Sequence, residues 1–227
     1  MTSIKYAWKR SLPVMAGYLV LGFGFGILLE AKGYGAGWAL LMSVSIYAGS
    51  MQYVAINLIS GGASLLSAGL MTLMVNARHL FYGISMIERY KGTGKKKPYL
   101  VFALTDETYS LVCSGDVPEG VDRKSYFFWV SLFDHSYWII GSVAGSLTGS
   151  ILNFDTSGIE FSMTALFIVV FVEQWKSASG HASAMIGTAA SVACLLIFGP
   201  DSFLIPSMLT ITVALTALRK VFEKEKE

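Results

Sequence analysis

The sequence predicts an all-α integral membrane protein that crosses the bilayer several times. Of its 227 residues, 54% are hydrophobic and 14% are charged, and the mean hydropathy is +0.57. A soluble domain carries about 25% charged residues, so this composition lies far from the soluble class. Several apolar runs approach or exceed the roughly 18 residues that a membrane-spanning helix needs. A nucleic-acid partner is not expected, because no basic patch lies on a soluble fold.

Eight hydrophobic segments follow one another along the chain. They lie at 11–29, 38–59, 63–87, 99–114, 126–152, 158–175, 183–198 and 202–218. The hydrophilic stretch 116–125 separates two halves, 11–115 and 126–218, within a single transmembrane domain that spans 1–227.

The basic residues conflict with eight plain crossings. Lys and Arg cluster before the first segment, in the loop 89–97 and at 219–226, and the positive-inside bias places all three clusters in the cytoplasm, with both termini. Only three segments separate the first cluster from the loop, and three crossings cannot return to the same side. One of these segments is therefore expected not to span.

A weak internal repeat suggests which segment this is. A shift of 121 residues aligns Gly37 with Gly158, Met42 with Met163, Ser43 with Thr164, and Gln52 with Glu173. If 38–59 and 158–175 are re-entrant or broken, each half has an odd number of crossings, and the halves become inverted repeats of the kind found in secondary transporters. The alternative is eight plain spans with a weak charge bias.

The stretch 46–53 is the first candidate site, because small residues and a glutamine interrupt an apolar run. Within lipid, loosened backbone and a buried amide are tolerated only where protein or a cavity satisfies them. A break here exposes N–H groups of a half-helix that starts near Met51, and these groups suit a carboxylate. A close helix crossing is the alternative. Substrate contact is predicted for Tyr47, Ala48, Gly49, Ser50, Met51, Gln52, Asn76 and Arg78.

Ionisable residues inside the apolar segments form the second group of candidates. Arg78 lies about 15 Å along a helix from the basic loop, near the middle of the membrane, so it needs a partner or water. The alternative is that its side chain snorkels to the membrane interface. Proton coupling is predicted for Asp106, Asp134, Glu173 and His79, whose charge would respond to access from either side. The alternative is that each acid pairs with Arg78 or caps a helix.

Other chemistry is not indicated. The three histidines are far apart and lack the spacing of metal ligands, so no metal is predicted. The chain has no Walker-type phosphate loop, so no ATP hydrolysis and no cofactor are expected. Ser179 and His181 are a nucleophile and a base on one loop, a spacing that does not place the hydroxyl on the imidazole, so an enzyme is not expected.

Glycines at a spacing of four residues mark a helix for tight packing. Gly141, Gly145 and Gly149 form a ridge of small residues that suits a close helix contact. Packing within the subunit and docking of another subunit are both open uses of this ridge.

Three motifs occur together in this sequence: Pro13 with the Gly-rich first segment, the stretch 47–53, and Asn76-Ala77-Arg78-His79 followed by Tyr82-Gly83. In this combination they resemble the AzlC family, the large subunits of bacterial branched-chain amino acid exporters. Thr105-Asp106-Glu107 and the run 164–171 followed by Glu173 are similar but less specific.

The resemblance implies a function. It implies export of leucine, isoleucine, valine or methionine across the bacterial cytoplasmic membrane, by a multi-pass protein that works with a small AzlD-type membrane subunit. Secondary active transport coupled to protons is the expected mechanism. The alternative is a passive channel or facilitator for a small polar solute.

Overall fold

Helices account for all the regular structure in the described part of the chain, which confirms the all-α prediction. The computed structural model describes residues 2–113, 117–152, 180–200 and 203–224, with single positions or pairs between 158 and 176. In chain order the helices are α1 (Ser3–Ala31), α2 (Ala36–Ser45), α3 (Gly49–Ser60), α4 (Leu65–Val75), α5 (Ala77–Met86), a 3-10 turn (Gly94–Lys96), α6 (Lys97–Phe102), α7 (Asp106–Val112), α8 (Arg123–Ile151), α9 (Ala182–Phe198) and α10 (Leu204–Lys224).

Helices α1 and α8 form the central pair, and glycines set their distance. A Cβ atom on Gly22 would lie 3.0 Å from the backbone nitrogen of Ser142, and one on Gly26 would overlap the same stretch of backbone. Gly141 and Gly145 face the backbone of α1 in the same way. Bare backbones therefore meet along this crossing, and the predicted glycine ridge serves packing inside the chain.

Three of the predicted segments are broken in the middle. The segment 38–59 divides into α2 and α3 around residues 46–48, as predicted, although α3 begins at Gly49 rather than near Met51. The segment 99–114 divides into α6 and α7 around residues 103–105.

The break in segment 63–87 was not predicted. Helix α4 ends and α5 begins at Asn76, whose carbonyl accepts a 2.9 Å hydrogen bond from the backbone of His79. This backbone bond joins residues three apart, as in a 3-10 turn, so the regular four-residue bonding of an α-helix is interrupted here.

The first helix starts earlier than the apolar run indicates. It begins at Ser3 rather than at residue 11, because Lys5, Lys9 and Arg10 continue the helix without contributing to the apolar run. At its own start, α8 is capped by Asp122, whose side chain accepts a 3.0 Å hydrogen bond from the Ser125 N–H. Hydrogen bonds from Ser125 hold the pKa of Asp122 below its usual range.

The chain divides into two compact units, Met1–Thr164 and Ala165–Glu227. The first contains α1 to α8. In the second, α9 and α10 pack against each other, and Cys194 Sγ lies 3.9 Å from Thr210 Oγ1. The segment 158–175 and Glu173 lie largely or wholly outside the described residues, so the two-halves arrangement with a linker at 116–125 stays a prediction.

The helix surfaces carry large apolar side chains. Helix α4 has no buried residue, and its leucines at 65, 66, 70 and 73 are exposed. An exposed apolar face of this size is suited to lipid or to another membrane chain. Among the described helices, α1 alone is both long and apolar enough to count as a complete membrane span.

Candidate functional site

Arg78 joins two of the broken helices. Its Nη1 lies 2.6 Å from Asp106 Oδ2, at the first residue of α7, and its Nη2 donates a 2.7 Å hydrogen bond to Ser50 Oγ in the first turn of α3. Arg78 itself lies in the first turn of α5. The side chains of Arg78 and Asp106 are 31% and 28% exposed, so the pair remains partly accessible.

The local sequence explains why these groups meet at helix ends. Helix α3 starts after Ala48, whose side chain cannot cap, and α5 starts after Asn76, whose side chain makes no capping hydrogen bond. The first N–H groups of both helices therefore lack a side-chain acceptor, and they carry the positive end of the helix dipole. Together with the guanidinium of Arg78, they form a site suited to a carboxylate.

The break between α2 and α3 is fixed by Tyr47. Its φ angle is 43°, in the left-handed region that few residues other than glycine adopt. The ring is buried and stacks on His135 at 4.1 Å between centroids. His135 is itself held by Ser43 O, 3.0 Å from its Nε2, and by the Tyr99 hydroxyl, 3.2 Å from its Nδ1. Aromatic packing thus maintains the strained turn that positions Ser50.

Gln52 bonds with protein groups. Its Oε1 accepts a 2.8 Å hydrogen bond from Trp138 Nε1, and its Nε2 donates a longer 3.4 Å bond to Ser43 Oγ. Gln52 is 0% exposed. Gly49 packs on the same indole, since a Cβ there would lie 3.0 Å from it. The buried amide predicted in this stretch thus ties both halves of the broken helix to α8.

A chain of hydroxyl groups runs between two further acids. Tyr18 Oη lies 2.7 Å from Glu107 Oε2 and 2.6 Å from Thr105 Oγ1. Thr105 Oγ1 lies 3.1 Å from Thr108 Oγ1, which lies 2.8 Å from Asp134 Oδ2. Asp134 is 0% exposed, and its Oδ1 makes no hydrogen bond.

The remaining predicted residues lie close by or outside the described region. His79 Nδ1 lies 3.3 Å from Asn76 O, so Arg78 and His79 meet different partners. The Asn76 side-chain Oδ1 is buried without a hydrogen bond. Met51 is buried in α3. Glu173 lies outside the described residues.

A cavity of about 460 Å³ lies beside the middle of α3. Its lining comprises Leu28, Lys32, Tyr53, Ile56, Asn57, Phe161 and Thr164. Apolar walls with an ammonium and an amide suit a small amphiphilic molecule, and the volume falls in the range of ligand pockets.

Sequence reasoning missed several of the residues that meet here: Ser43, Tyr18, Thr108, Trp138 and the lining of the cavity. One signal was available for Trp138, because it lies four residues after Asp134 and so on the same face of α8. Tyr18 carries no such signal, since an isolated tyrosine in an apolar run is indistinguishable from an ordinary packing residue. Ser43 was noted only as a matched position of the weak repeat.

Comparisons with known proteins identify relatives over nearly the whole chain. The family model described as AzlC protein matches residues 13–152. The branched-chain amino acid transport protein AzlC of Bacillus subtilis is 46% identical over 98% of this chain and 87% of its own. A membrane protein of Helicobacter pylori is 45% identical over 97% of both chains. The inner membrane protein YgaZ of Escherichia coli is 27% identical over 94% of this chain and 89% of its own. No solved structure matches the chain.

Broken helices that bring a charged pair to their ends, with large apolar side chains on the outer surface, define the class of helical membrane proteins, and relatives named as membrane proteins agree. The chain belongs to the AzlC family, since the family model matches more than half of it and a relative at 46% identity is aligned over nearly all of it. This is a family of transport proteins, so the prediction that the chain is not an enzyme is confirmed.

Proposed function

We propose that the chain is a secondary active transporter that exports branched-chain amino acids across the bacterial cytoplasmic membrane. The observation that carries this proposal is the 46% identity, over 98% of the chain, to a relative named as a branched-chain amino acid transport protein. The name of a further relative, an inner membrane protein, supports the location.

The geometry around Arg78 supports a site for a zwitterion. The substrate carboxylate binds Arg78 and the free N–H groups at the start of α3, and the ammonium group binds Asp106. Arg78 and Asp106 pair with each other at 2.6 Å when no substrate lies between them. A bound zwitterion replaces this ion pair with two others: Arg78 with the substrate carboxylate, and the substrate ammonium group with Asp106. Few charges are therefore left without a partner during binding.

Coupling to protons follows from the same carboxylate. Asp106 accepts either the substrate ammonium group or a proton, and competition between the two exchanges one for the other. His79 and Asp134 lie near this site and Glu173 belongs to the predicted repeat, so all three stay candidates for proton coupling. A small AzlD-type membrane subunit is the proposed partner, with the exposed apolar helix faces as its available surface.

Efflux from membrane vesicles tests the proposal. Vesicles are loaded with labelled leucine, isoleucine, valine or methionine. When a pH gradient is imposed, they should release the label against the concentration gradient of that amino acid. This release should depend on the partner subunit. Asp106→Asn should abolish driven efflux, whereas Asp122→Asn, on the exposed start of α8, should leave it unchanged. Transport that does not saturate and ignores the pH gradient would instead establish the channel or facilitator.

A further inference from the structure

Five side-chain oxygens form an unbroken line through the protein, from Glu107 through Tyr18, Thr105 and Thr108 to Asp134. The four successive distances are 2.7, 2.6, 3.1 and 2.8 Å. Residues of α1, the start of α7 and α8 contribute, so the line exists only where these three helices meet.

The number of hydrogen atoms in this line is fixed. Each of the four contacts is a hydrogen bond, and a hydrogen bond between two oxygens needs one hydrogen between them, so four bonds need four hydrogens. The hydroxyls of Tyr18, Thr105 and Thr108 supply one each. The Thr108 N–H, which donates to Thr105 at 3.3 Å, lies outside the line and adds none. One carboxyl group must supply the fourth.

We infer that Glu107 and Asp134 share a single proton through the three hydroxyl groups. In one state Glu107 is the acid: it donates to Tyr18, Tyr18 to Thr105, Thr105 to Thr108, and Thr108 to ionised Asp134. In the other state Asp134 is the acid and every bond is reversed, ending on ionised Glu107. Both states satisfy every contact.

Interconversion moves one proton from end to end. Glu107 gives its proton to Tyr18, each hydroxyl passes its own hydrogen to the next oxygen, and Asp134 receives the last. Each hydroxyl is neutral before and after, and the pair carries one negative charge throughout. The transfer requires no other reactant.

The surroundings make the two ends unequal. Glu107 is half-buried, follows Asp106 in the sequence, and interacts electrostatically with the charges of Asp106 and Arg78. Asp134 is fully buried, and the hydroxyls of Tyr18, Tyr47, Tyr99 and Tyr126 and the ring of His135 are the titratable groups around it. In the proposed transport, on which this role rests, the line connects the substrate site beside Asp106 with the buried α8 carboxyl.

Infrared spectroscopy of the purified full-length chain tests the shared proton. The C=O stretch of a protonated carboxylic acid is separate from that of a carboxylate, and ¹³C labelling of Asp or Glu assigns it. Glu107→Gln and Asp134→Asn each place an amide at one end, and the amide N–H supplies the fourth hydrogen. Either single variant should therefore lose the acid band of the shared proton entirely.

Independent carboxyl groups give a different result, because each single variant would then keep the acid band of the other group. That outcome, or a wild-type spectrum from which neither variant removes a band, overturns the inference. Asp122→Asn is the matched control and should leave the spectrum unchanged, since this carboxyl is exposed at the start of α8. Circular dichroism confirms that each variant is folded.

A second variant tests the path. Thr108→Val removes the hydroxyl next to Asp134, so in this background Glu107→Gln should no longer alter the acid band of an Asp-labelled sample. Thr148→Val, whose hydroxyl bonds only the backbone of its own helix at 2.7 Å, is the control and should keep the coupling. Persistent coupling in Thr108→Val contradicts the path. None of these spectra depends on transport, so a failure of proton-driven efflux is told apart from a failure of the shared proton.

Discussion

The two terminal nitrogens of the Arg78 guanidinium bond to two different helices, α7 and α3. One terminal nitrogen lies against Asp106 and the other donates to Ser50, at 2.6 and 2.7 Å. A lysine ammonium is a single point charge on a flexible stem and cannot reproduce two parallel bonds to partners on different elements. A positive charge is therefore not sufficient at position 78, because the geometry of the guanidinium is also needed.

Arg78→Lys should weaken substrate binding by roughly tenfold or more, because a hydrogen bond to a charged group contributes about 1.5–3 kcal/mol. Equilibrium binding of labelled leucine to the purified protein measures the effect. Arg123→Lys is the matched control, since Arg123 lies at the exposed start of α8 with its guanidinium 5.3 Å from the centre of the Phe127 ring. Equal affinity in wild type and Arg78→Lys would remove Arg78 from the site.

Gln52 has two possible roles, and its bonds favour the structural one. Its amide oxygen accepts from Trp138 in a fully buried setting. Gln52→Ala should lower the free energy of unfolding by about 1–3 kcal/mol, because the indole N–H is left buried without an acceptor.

Thermal unfolding in detergent measures this change. Trp138→Phe in the Gln52→Ala background should restore part of the loss, since it removes the unsatisfied donor. A variant of normal stability with weakened leucine binding would return Gln52 to the substrate site as first predicted.

At the scale of the elements, the close crossing of α1 and α8 depends on glycines, which have no side chain between the two backbones. Gly145→Ala places a methyl group into the backbone of Phe23, so the helices must separate, and the variant should lose about 1–3 kcal/mol or more of stability. Gly17→Ala in α1 is the control, because nothing lies within 4 Å of its Cβ position, and it should be neutral or slightly stabilising. Equal melting temperatures for the two variants would contradict this account of the crossing.

The sequence predicted elements better than it predicted their partners. A polar interruption marked the break at 46–48 because unbonded backbone is excluded from lipid, whatever packs nearby. Pairing of an acid with Arg78 was one of the two alternatives, and Asp106 forms this pair. Which acid pairs with Arg78, and that Gln52 meets Trp138, depends on how distant helices pack, and helical spacing gives only the face on which a side chain lies. The break at Asn76 was missed because polar residues inside an apolar run do not by themselves distinguish a helix end from a continuous helix that carries polar side chains.

For the whole molecule, the membrane topology depends on whether the pair α2 and α3 crosses the membrane. At 10 and 12 residues they are about 15 and 18 Å long, each about half of a 30 Å hydrocarbon core. A crossing here puts the basic loop 89–97 outside, against the positive-inside bias. A re-entrant pair instead returns the chain to the side where α1 ended.

We therefore expect Ala31→Cys and Ser60→Cys, at the exposed ends of α1 and α3, to react with an impermeant maleimide from the same side of the membrane. The background replaces Cys113 and Cys194, the free cysteines of the chain, with serine. Thr2→Cys calibrates the assay, because α1 lies between it and Ala31 and should place it on the opposite side. Labelling of Ala31→Cys and Ser60→Cys from opposite sides would make α2 and α3 one kinked span, and would leave the basic loop as an exception to the charge bias.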